Sequence, residues 1–152
     1  MFRDQLPEAL RTALKEKDQR AVSTLRLIMA ALKDRDIAAR GKGNDEGIDE
    51  DEILQMLQTM VKQRRDSTTQ FQDAGRDELA AIEIAEIAII QEFLPKQLSE
   101  DEIIAMIDDA LSAIEVKGMA AMGALMGAIK PKLQGRADMG AVSKIVKAKL
   151  TA

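Results

Sequence analysis

The sequence has no cysteine, no histidine, no tryptophan and no tyrosine. Without cysteine the chain forms neither disulfides nor a thiolate nucleophile. Without histidine it lacks the commonest general base and the commonest metal ligand of proteins. These absences fit a reducing compartment, and they exclude every active site that depends on a histidine or a cysteine.

We expect no segment of this sequence to enter a membrane or a secretion pathway. The first ten residues, MFRDQLPEAL, lack the apolar core of a signal peptide. The least polar window, residues 119–129, is 11 residues long, which is too short to span a bilayer. We therefore expect a soluble, cytoplasmic protein that makes no membrane contact.

Proline is scarce, with three residues in 152, whereas 46% of the residues are hydrophobic and almost all of those are aliphatic. This composition favours helix nearly throughout. Because Pro95 disfavours helix at Leu94, we place a domain boundary between them. The prediction is an all-α fold, with an N-terminal four-helix domain (residues 1–94) followed by a C-terminal three-helix domain (residues 95–152).

Two of the predicted helices carry strong start signals. Asp49 precedes Glu52 by three residues, which is the pattern of a capping box. Ser99 stands in the same relation to Glu102. Gly75 predicts that the third helix ends there in the left-handed conformation.

The fourth helix, predicted over residues 77–93, is the most apolar segment of the chain. Its five isoleucines cover most of the circumference and leave Glu83 and Glu86 as a narrow polar stripe. Such a helix is expected to be buried, or to be covered by a partner chain. Between the second and third helices, residues 41–47 (GKGNDEG) predict a flexible, exposed loop.

Arg64 is a charge on the apolar side of the third helix. If the third and fourth helices form a hairpin about Gly75, Arg64 lies within reach of Glu86. A partly buried arginine needs such a carboxylate. We predict a structural Arg64–Glu86 pair, which Glu83 could join. The weaker alternative makes Arg64 and Arg65 a second phosphate site.

Positive charge is concentrated near the end of the sequence. From Lys117 onward seven lysines and arginines stand against Asp138 alone, a net charge of +6, whereas residues 1–116 carry −10. We expect three cations to cluster in the turn before the last helix and two to lie opposite its apolar face. These candidate RNA-binding residues are Lys130, Lys132, Arg136, Lys144 and Lys147. Their contact with phosphates would be salt-dependent, and the start of the last helix, capped by Asp138, would add backbone N–H donors.

The alternative is a solvated surface whose lysines offset the dipole of the last helix. Lys149 suits this alternative best, because it points near the apolar side. No aromatic residue follows Phe93, so an RNA partner would be recognised by its folded shape and backbone, not by stacked bases. The acidic N-terminal part would repel RNA, which weighs against an RNA partner.

Methionine and glycine recur at helical spacing in the sixth helix, predicted over residues 119–129. The recurring residues are Met119, Met122 and Met126, which share a face, and the pair Gly123 and Gly127. Each glycine costs a helix about 1 kcal/mol relative to alanine, so close packing on a neighbouring helix is the expected compensation. The alternative is a flat glycine ridge, or an adaptable methionine surface, against an RNA backbone.

A set of short motifs runs through the whole chain. They are Lys62-Gln63-Arg64-Arg65-Asp66-Ser67, Phe71, Ala74-Gly75-Arg76, Leu94-Pro95, Met122-Gly123-Ala124-Leu125-Met126 and Pro131-Lys132-Leu133-Gln134-Gly135-Arg136-Ala137-Asp138. In this combination they resemble the YqeY-like family, whose C-terminal half is shared with the tail of the GatB subunit of the Asp/Glu-tRNA amidotransferase. The Gly135-Arg136-Ala137-Asp138 turn is the most specific part. The family pattern leads us to expect glycine directly after it, where Met139 stands.

The resemblance implies a helical N-terminal domain, a three-helix C-terminal domain and contact with the body of tRNA. The expected partner is tRNA or another folded RNA, or an amidotransferase or other translation-linked protein. The chain carries only what resembles that enzyme's tail, so we assign it no catalytic residue, no metal and no cofactor. Two alternatives stay open. One is a protein-interaction module without RNA binding, contacted through the fourth helix or the methionine face, and the other is an accessory to glutamine-dependent amide transfer on tRNA.

Overall fold

The computed structural model describes residues 1–152 and consists of helices joined by turns. The α-helices are α1 (Phe2–Glu16), α2 (Gln19–Gly41), α3 (Glu50–Asp73), α4 (Asp77–Gln91), α5 (Glu100–Ser112), α6 (Met122–Leu133) and α7 (Met139–Thr151), with one 3-10 turn at Gly118–Ala121. The predicted all-α class is confirmed. None of these helices combines the length and the apolarity that crossing a bilayer would require.

The chain divides into two compact units, Met1–Leu94 and Pro95–Ala152. The first contains α1 to α4 and the second contains α5 to α7, and each unit buries its own hydrophobic core. That the two units fold as independent domains stays a prediction.

In the first unit, α3 and α4 make the most extensive packing, and α2 joins them while α1 packs on α2. The largest fully buried side chains of this core include Ile28, Ile53, Leu57 and Ile90. Both predicted capping boxes are present, one at the start of α3 and one at the start of α5. Gly75 follows α3 with a φ of +71°, as its position predicted.

The end of the loop between α2 and α3 is held by an ion pair that was not predicted. The two guanidinium Nη atoms of Arg3 donate to the two carboxylate oxygens of Asp36, each at 2.8 Å. Asp36 also accepts the backbone N–H of Ile48 at 3.0 Å, and Arg3 donates to the Ile48 carbonyl at 2.7 Å. The expectation of a flexible, exposed loop is therefore wrong for its last residue, because Gly47 and Ile48 are buried.

Gly47 leaves room for this network. Its φ is +86°, and a β-carbon there would stand 2.3 Å from Oδ1 of Asp36. A side chain at this position would meet both a strained backbone conformation and the carboxylate. The position therefore requires glycine for two independent reasons.

The Asp36 pair makes stability depend on pH in acid. The hydrogen bond from Arg3, opposed by burial and aided by the Ile48 N–H, lowers the Asp36 pKa from 3.8 to about 2. A carboxyl whose folded pKa is depressed stabilises the fold above its unfolded pKa, and loses this contribution as pH falls through the folded pKa. Because the Arg3 side chain is 40% exposed, we expect only about 1–2 kcal/mol. Urea denaturation between pH 5 and pH 2 should show a shallower decline in unfolding free energy for D36N than for the wild type. Equal declines would contradict this account.

The structure leaves α4 much less buried than its composition predicted. Only Ala80 and Ile90 of its residues are buried, and half of the Ile84 side chain is exposed. α4 packs on α3 and α2 along one side, and its opposite side carries Ala81, Ile84 and Ala88, all exposed. The expectation of a buried helix is wrong, whereas the alternative of a partner chain remains open.

In the second unit three helices surround a core that includes Ile107, Leu125, Ile129 and Val146. The helix ends differ from those predicted. α5 ends at Ser112, and α6 begins at Met122 after the 3-10 turn, three residues later than the predicted start of the sixth helix.

Helix α6 also continues past Pro131 to Leu133 instead of ending before the proline. Proline removes one helical hydrogen bond, the one that would end on the carbonyl of residue 127. Because Gly127 is exposed, water can serve that carbonyl, and the last turn of the helix survives.

Candidate nucleic-acid interface

The turn that joins α6 to α7 contains the motif Gly135-Arg136-Ala137-Asp138. Gly135 is buried with a φ of +78°, a conformation that disfavours other residues. The backbone N–H of Leu98 donates to the Arg136 carbonyl at 2.8 Å, and the amide of Gln97 donates to the Gly135 carbonyl at 2.7 Å. The main chain of this motif thus has a structural role, because it fastens the turn to the segment before α5.

Asp138 ends the motif and begins α7. Its carboxylate accepts the backbone N–H of Gly140 at 3.1 Å, so the predicted cap is present. Gly140 is exposed, and a β-carbon there would meet only Asp138 itself, at 3.5 Å or more. The first turn of α7 therefore presents its backbone to solvent without a covering side chain.

The two glycines of α6 also face solvent. Gly123 and Gly127 are exposed, and a β-carbon on either would meet nothing within 4 Å. The expectation that close helix packing compensates for these glycines is therefore wrong for this chain. The three methionines have different environments. Met122 and Met126 pack against the core of the second unit, whereas Met119 lies in the 3-10 turn and is nearly half exposed.

Around the glycines the outer surface of α6 is nearly free of side chains. We call this surface the Gly/Ala ridge; it consists of Gly123, Ala124, Gly127, Ala128 and Pro131, all exposed. The core residues Leu125, Ile129 and Leu133 occupy the opposite side of the helix. A ridge of this kind allows a large partner to approach the helix backbone closely.

Lys130 and Lys132 stand on either side of the Gly/Ala ridge. Residues two apart on a helix point about 200° away from each other, so these two lysines do not form one cluster. Both belong to the last turns of α6 and not to the turn that follows, where the sequence predicted them with Arg136. The structure thus replaces the predicted cluster by a flat surface with one exposed lysine on each flank.

Lys144 and Lys147 lie where the sequence placed them, on the side of α7 opposite the buried Val142 and Val146. Both are exposed. No carboxylate of the chain lies within ion-pairing distance of either lysine, and the same is true of Lys130 and Lys132. These side chains therefore keep their charge available to a partner.

Two other basic residues of the α6–α7 segment, Lys149 and Arg136, lie close to the chain's own carboxylates. Lys149 pairs with Asp108 at 2.6 Å, an ion pair that was not predicted. Hydrogen bonds from Ser99 lower the pKa of Glu102, and the nearby positive charges of Lys96 and Arg136 lower it further. Arg136 is also partly buried, so a partner has less access to its guanidinium than to the ammonium groups of the four exposed lysines.

Charge in the second unit is distributed by helix. Its eight lysines and arginines face seven acids, and five of those acids belong to α5. No acid occurs between Glu115 and Asp138, a segment that includes all of α6. The unit is therefore nearly neutral in sum, with an acidic helix α5 and with basic helices α6 and α7.

Arg64, the other predicted charge of interest, is used within the first unit. Its Nε donates to Oε2 of Glu86 at 2.8 Å, and its Nη1 donates to the Met60 carbonyl at 3.3 Å. The two side chains are only 13% and 12% exposed. This is the ion pair that the sequence predicted, and it leaves no support for Arg64 as a phosphate ligand.

The Arg3–Asp36 pair was missed, although the sequence carries a signal for it. Asp36 continues the series of buried α2 residues Leu25, Ile28 and Leu32 at helical spacing. A carboxylate on the apolar face of a helix needs a cationic partner. Like Arg64, Asp36 is a charge on the apolar side of a helix, so its position equally predicts a partner and with it a second ion pair.

Comparison with known proteins gives a consistent assignment. The family model described as Yqey-like protein matches residues 3–150. Proteins named "Altered inheritance of mitochondria protein 41, mitochondrial" are similar to this chain. The one from Saccharomyces cerevisiae (strain YJM789) is 28% identical over 125 residues, which cover 79% of this chain and 65% of that protein. The one from Pyrenophora tritici-repentis is 27% identical over 138 residues, covering 89% and 73%.

The chain thus spans about 65% of the length of the first of these relatives. Because the relatives are named as mitochondrial, a cytoplasmic location for this chain stays a prediction. The family model, in contrast, extends over both compact units and nearly every residue. The chain therefore belongs to the YqeY-like family.

Proposed function

We propose that this protein binds the phosphate backbone of folded RNA, and of tRNA in particular, through α6 and α7 of its second unit. The observation that carries the proposal is the set of exposed lysines without a carboxylate partner, Lys130, Lys132, Lys144 and Lys147. They belong to the neighbouring helices α6 and α7, and α6 also presents the uncharged, nearly flat Gly/Ala ridge. A polyanion is the partner that such a surface favours.

Each part of the surface would have a distinct role. The lysines act as point charges that displace counterions from the phosphates. The Gly/Ala ridge lets a sugar–phosphate backbone approach α6, and the exposed Gly140 lets it approach the first turn of α7. Neither α6 nor α7 carries an aromatic side chain that could stack on bases, so recognition would depend on the shape of the RNA and not on its sequence.

Charge reversal at α7 tests the proposal. The double variant K144E/K147E should bind an in vitro transcribed tRNA at least tenfold more weakly than the wild type at 50 mM salt. Its affinity should also depend less steeply on salt concentration, because fewer counterions are released. The measurement is a filter-binding titration at several salt concentrations.

The matched control is K15E/R65E, which changes the net charge equally at exposed positions of the first unit. It should lose much less affinity than the α7 variant. Equal losses would show that only net charge matters, and absence of wild-type binding at 50 mM salt would refute the proposal.

The glycines of α6 allow stability and binding to be separated. In G123A/G127A each new methyl group has free space, so the helix should gain up to about 1 kcal/mol per site in unfolding free energy. The same methyl groups would hold an RNA backbone away from the ridge and weaken tRNA binding. A higher melting temperature together with weaker binding is the expected result. Unchanged affinity would remove the ridge from the interface.

A second candidate function is protein interaction without RNA, and the exposed apolar side of α4 around Ile84 favours it. The filter-binding titration separates the two candidates. An accessory role beside a glutamine-dependent tRNA amidotransferase would use the same tRNA contact, so it extends the favoured proposal and does not compete with it.

A further inference from the structure

The first unit has an open groove along one side of the α1–α2 hairpin. Near the turn of the hairpin it forms a depression of about 690 Å³, whose lining includes Leu14, Lys17, Val22, Arg26 and Leu27. Toward the other end of the hairpin a second depression of about 350 Å³ follows, with Arg3 and its partner Asp36, Met29, Lys33 and Arg40 in its lining. Both depressions lie between the same two helices, and we call them together the α1–α2 groove.

Apolar side chains are exposed along this groove. Leu14 and Leu27 expose nearly half of their surface, although both are leucines of long helices. Ile37, four residues after Lys33 on the same side of α2, is also more than half exposed. Apolar surface of this kind marks a place where another apolar surface packs.

Cations are arranged at regular spacing beside the apolar side chains. Arg26, Lys33 and Arg40 follow one another at seven-residue intervals, which places them on one side of α2 about 10.5 Å apart. Neither Arg26 nor Lys33 pairs with a carboxylate of the chain. The first unit contains 14 lysines and arginines against 19 acids, so its net charge is negative, whereas this row of cations on its surface is positive.

Lys17 closes the row at the turn of the hairpin. It ends α1 in the left-handed conformation, with a φ of +56°, and is the only non-glycine residue of the chain with a positive φ. Glycine is the residue that this position of a helix end normally favours. The lysine accepts the less favourable backbone conformation and adds a further cation to the groove lining.

From these observations we infer that the α1–α2 groove binds an acidic amphipathic helix of a partner protein. Apolar side chains of that helix, spaced three and four residues apart, would cover Leu14, Val22 and Leu27. Its carboxylates would face Arg26, Lys33 and Arg40. Two turns separate neighbouring cations, so acids repeated every seven residues on the partner helix would match the row.

The apolar floor distinguishes this partner from RNA, because leucine and isoleucine side chains gain nothing from a phosphate backbone. A second copy of this chain is also a poorer occupant. Its own exposed apolar helix side, at Ile84 on α4, is a different surface from the groove, and head-to-tail contact between two different surfaces generates open chains unless the rotation closes a ring. The inference is independent of the proposed RNA contact, which uses the other unit.

Designed peptides test the groove directly. The probe is an 18-residue helical peptide with leucines at i, i+3, i+4 and i+7 spacing and glutamates beside them, and the matched probe has lysines in place of the glutamates. Fluorescence anisotropy with the full chain should give at least tenfold tighter binding of the glutamate peptide. R26E/K33E should abolish or reverse this preference, and L14N/L27N should weaken binding of the glutamate peptide at least fivefold.

The α7 variant K144E/K147E serves as control and should bind the glutamate peptide as the wild type does. Circular dichroism of every variant verifies that the helical fold is retained. Four results would overturn the inference: no binding of either peptide at millimolar concentration, equal binding of both peptides, a tRNA affinity that falls further in R26E/K33E than in K15E/R65E, or self-association of the wild type that R26E/K33E abolishes.

Discussion

Replacement of Asp36 by alanine is expected to lower the free energy of unfolding by about 2 kcal/mol, because the Arg3 side chain is 40% exposed and water can hydrate its unpaired charge. The variant leaves the Arg3 guanidinium without its carboxylate and the N–H of buried Ile48 without its acceptor. Each unsatisfied group costs stability, and the cost of an unpaired charge is the larger one. Urea denaturation followed by circular dichroism measures the difference.

Asp34 provides the control for this variant. It is an exposed aspartate two residues away on the same helix, so D34A should change stability by about 0.5 kcal/mol or less. A loss in D36A that is no larger than the loss in D34A would show that the Arg3–Asp36–Ile48 network does not hold the loop.

Replacement of Glu86 by alanine should cost more, about 3 kcal/mol, because both side chains of this ion pair are largely buried. The variant leaves Arg64 charged in a site where its side chain is only 13% exposed, between α3 and α4. The measurement is again the unfolding free energy in urea. Replacing both partners in R64L/E86L should recover most of the loss, because no uncompensated charge then remains.

An exposed ion pair of equal length gives the comparison. Arg11 and Glu8 are also 2.8 Å apart, but their side chains are 65% and 64% exposed. E8A should therefore cost about 0.5 kcal/mol or less, since exposed pairs contribute little. If E86A and E8A lowered the unfolding free energy by the same small amount, burial would not increase the contribution of the Arg64–Glu86 pair to stability.

The helices were predictable because their signals are local. Capping residues and left-handed glycines act within one turn, which is why Asp49, Ser99 and Gly75 were assigned correctly from sequence. Arg64 and Glu86 could be paired because a three-residue connection fixes the register of α3 against α4. Each of these predictions required only neighbouring residues or one short turn.

Predictions failed where the outcome depended on distant parts of the chain. Arg3 meets Asp36 across 33 positions, and a sequence pattern does not show that contact directly. The glycines of α6 were expected to be packed, yet no element of the chain covers Gly123 or Gly127. The apolar side of α4 is likewise exposed where composition predicted burial. These surfaces are exposed because the fold has no further helix to cover them. The sequence of a single segment does not show how many helices will pack against it.

The candidate RNA-binding residues divide in the same way. Lys144 and Lys147 were placed correctly, because helical periodicity puts them opposite Val142 and Val146. Lys130 and Lys132 were assigned to a turn because proline was expected to end α6 before them. Arg136 was grouped with them from its position in sequence, whereas its environment includes Glu102 of α5.

The central claim, RNA contact through α6 and α7, is tested most directly by mapping the contact on the protein. In ¹H–¹⁵N spectra of the full chain at low salt, substoichiometric tRNA should selectively reduce the amide signals of Gly123, Gly127, Gly140, Lys144 and Lys147. Signals of residues 1–94 and of acidic α5 should keep their intensity relative to that set. Signal loss confined to residues 1–94, or no selective loss at any tRNA concentration, would contradict the account.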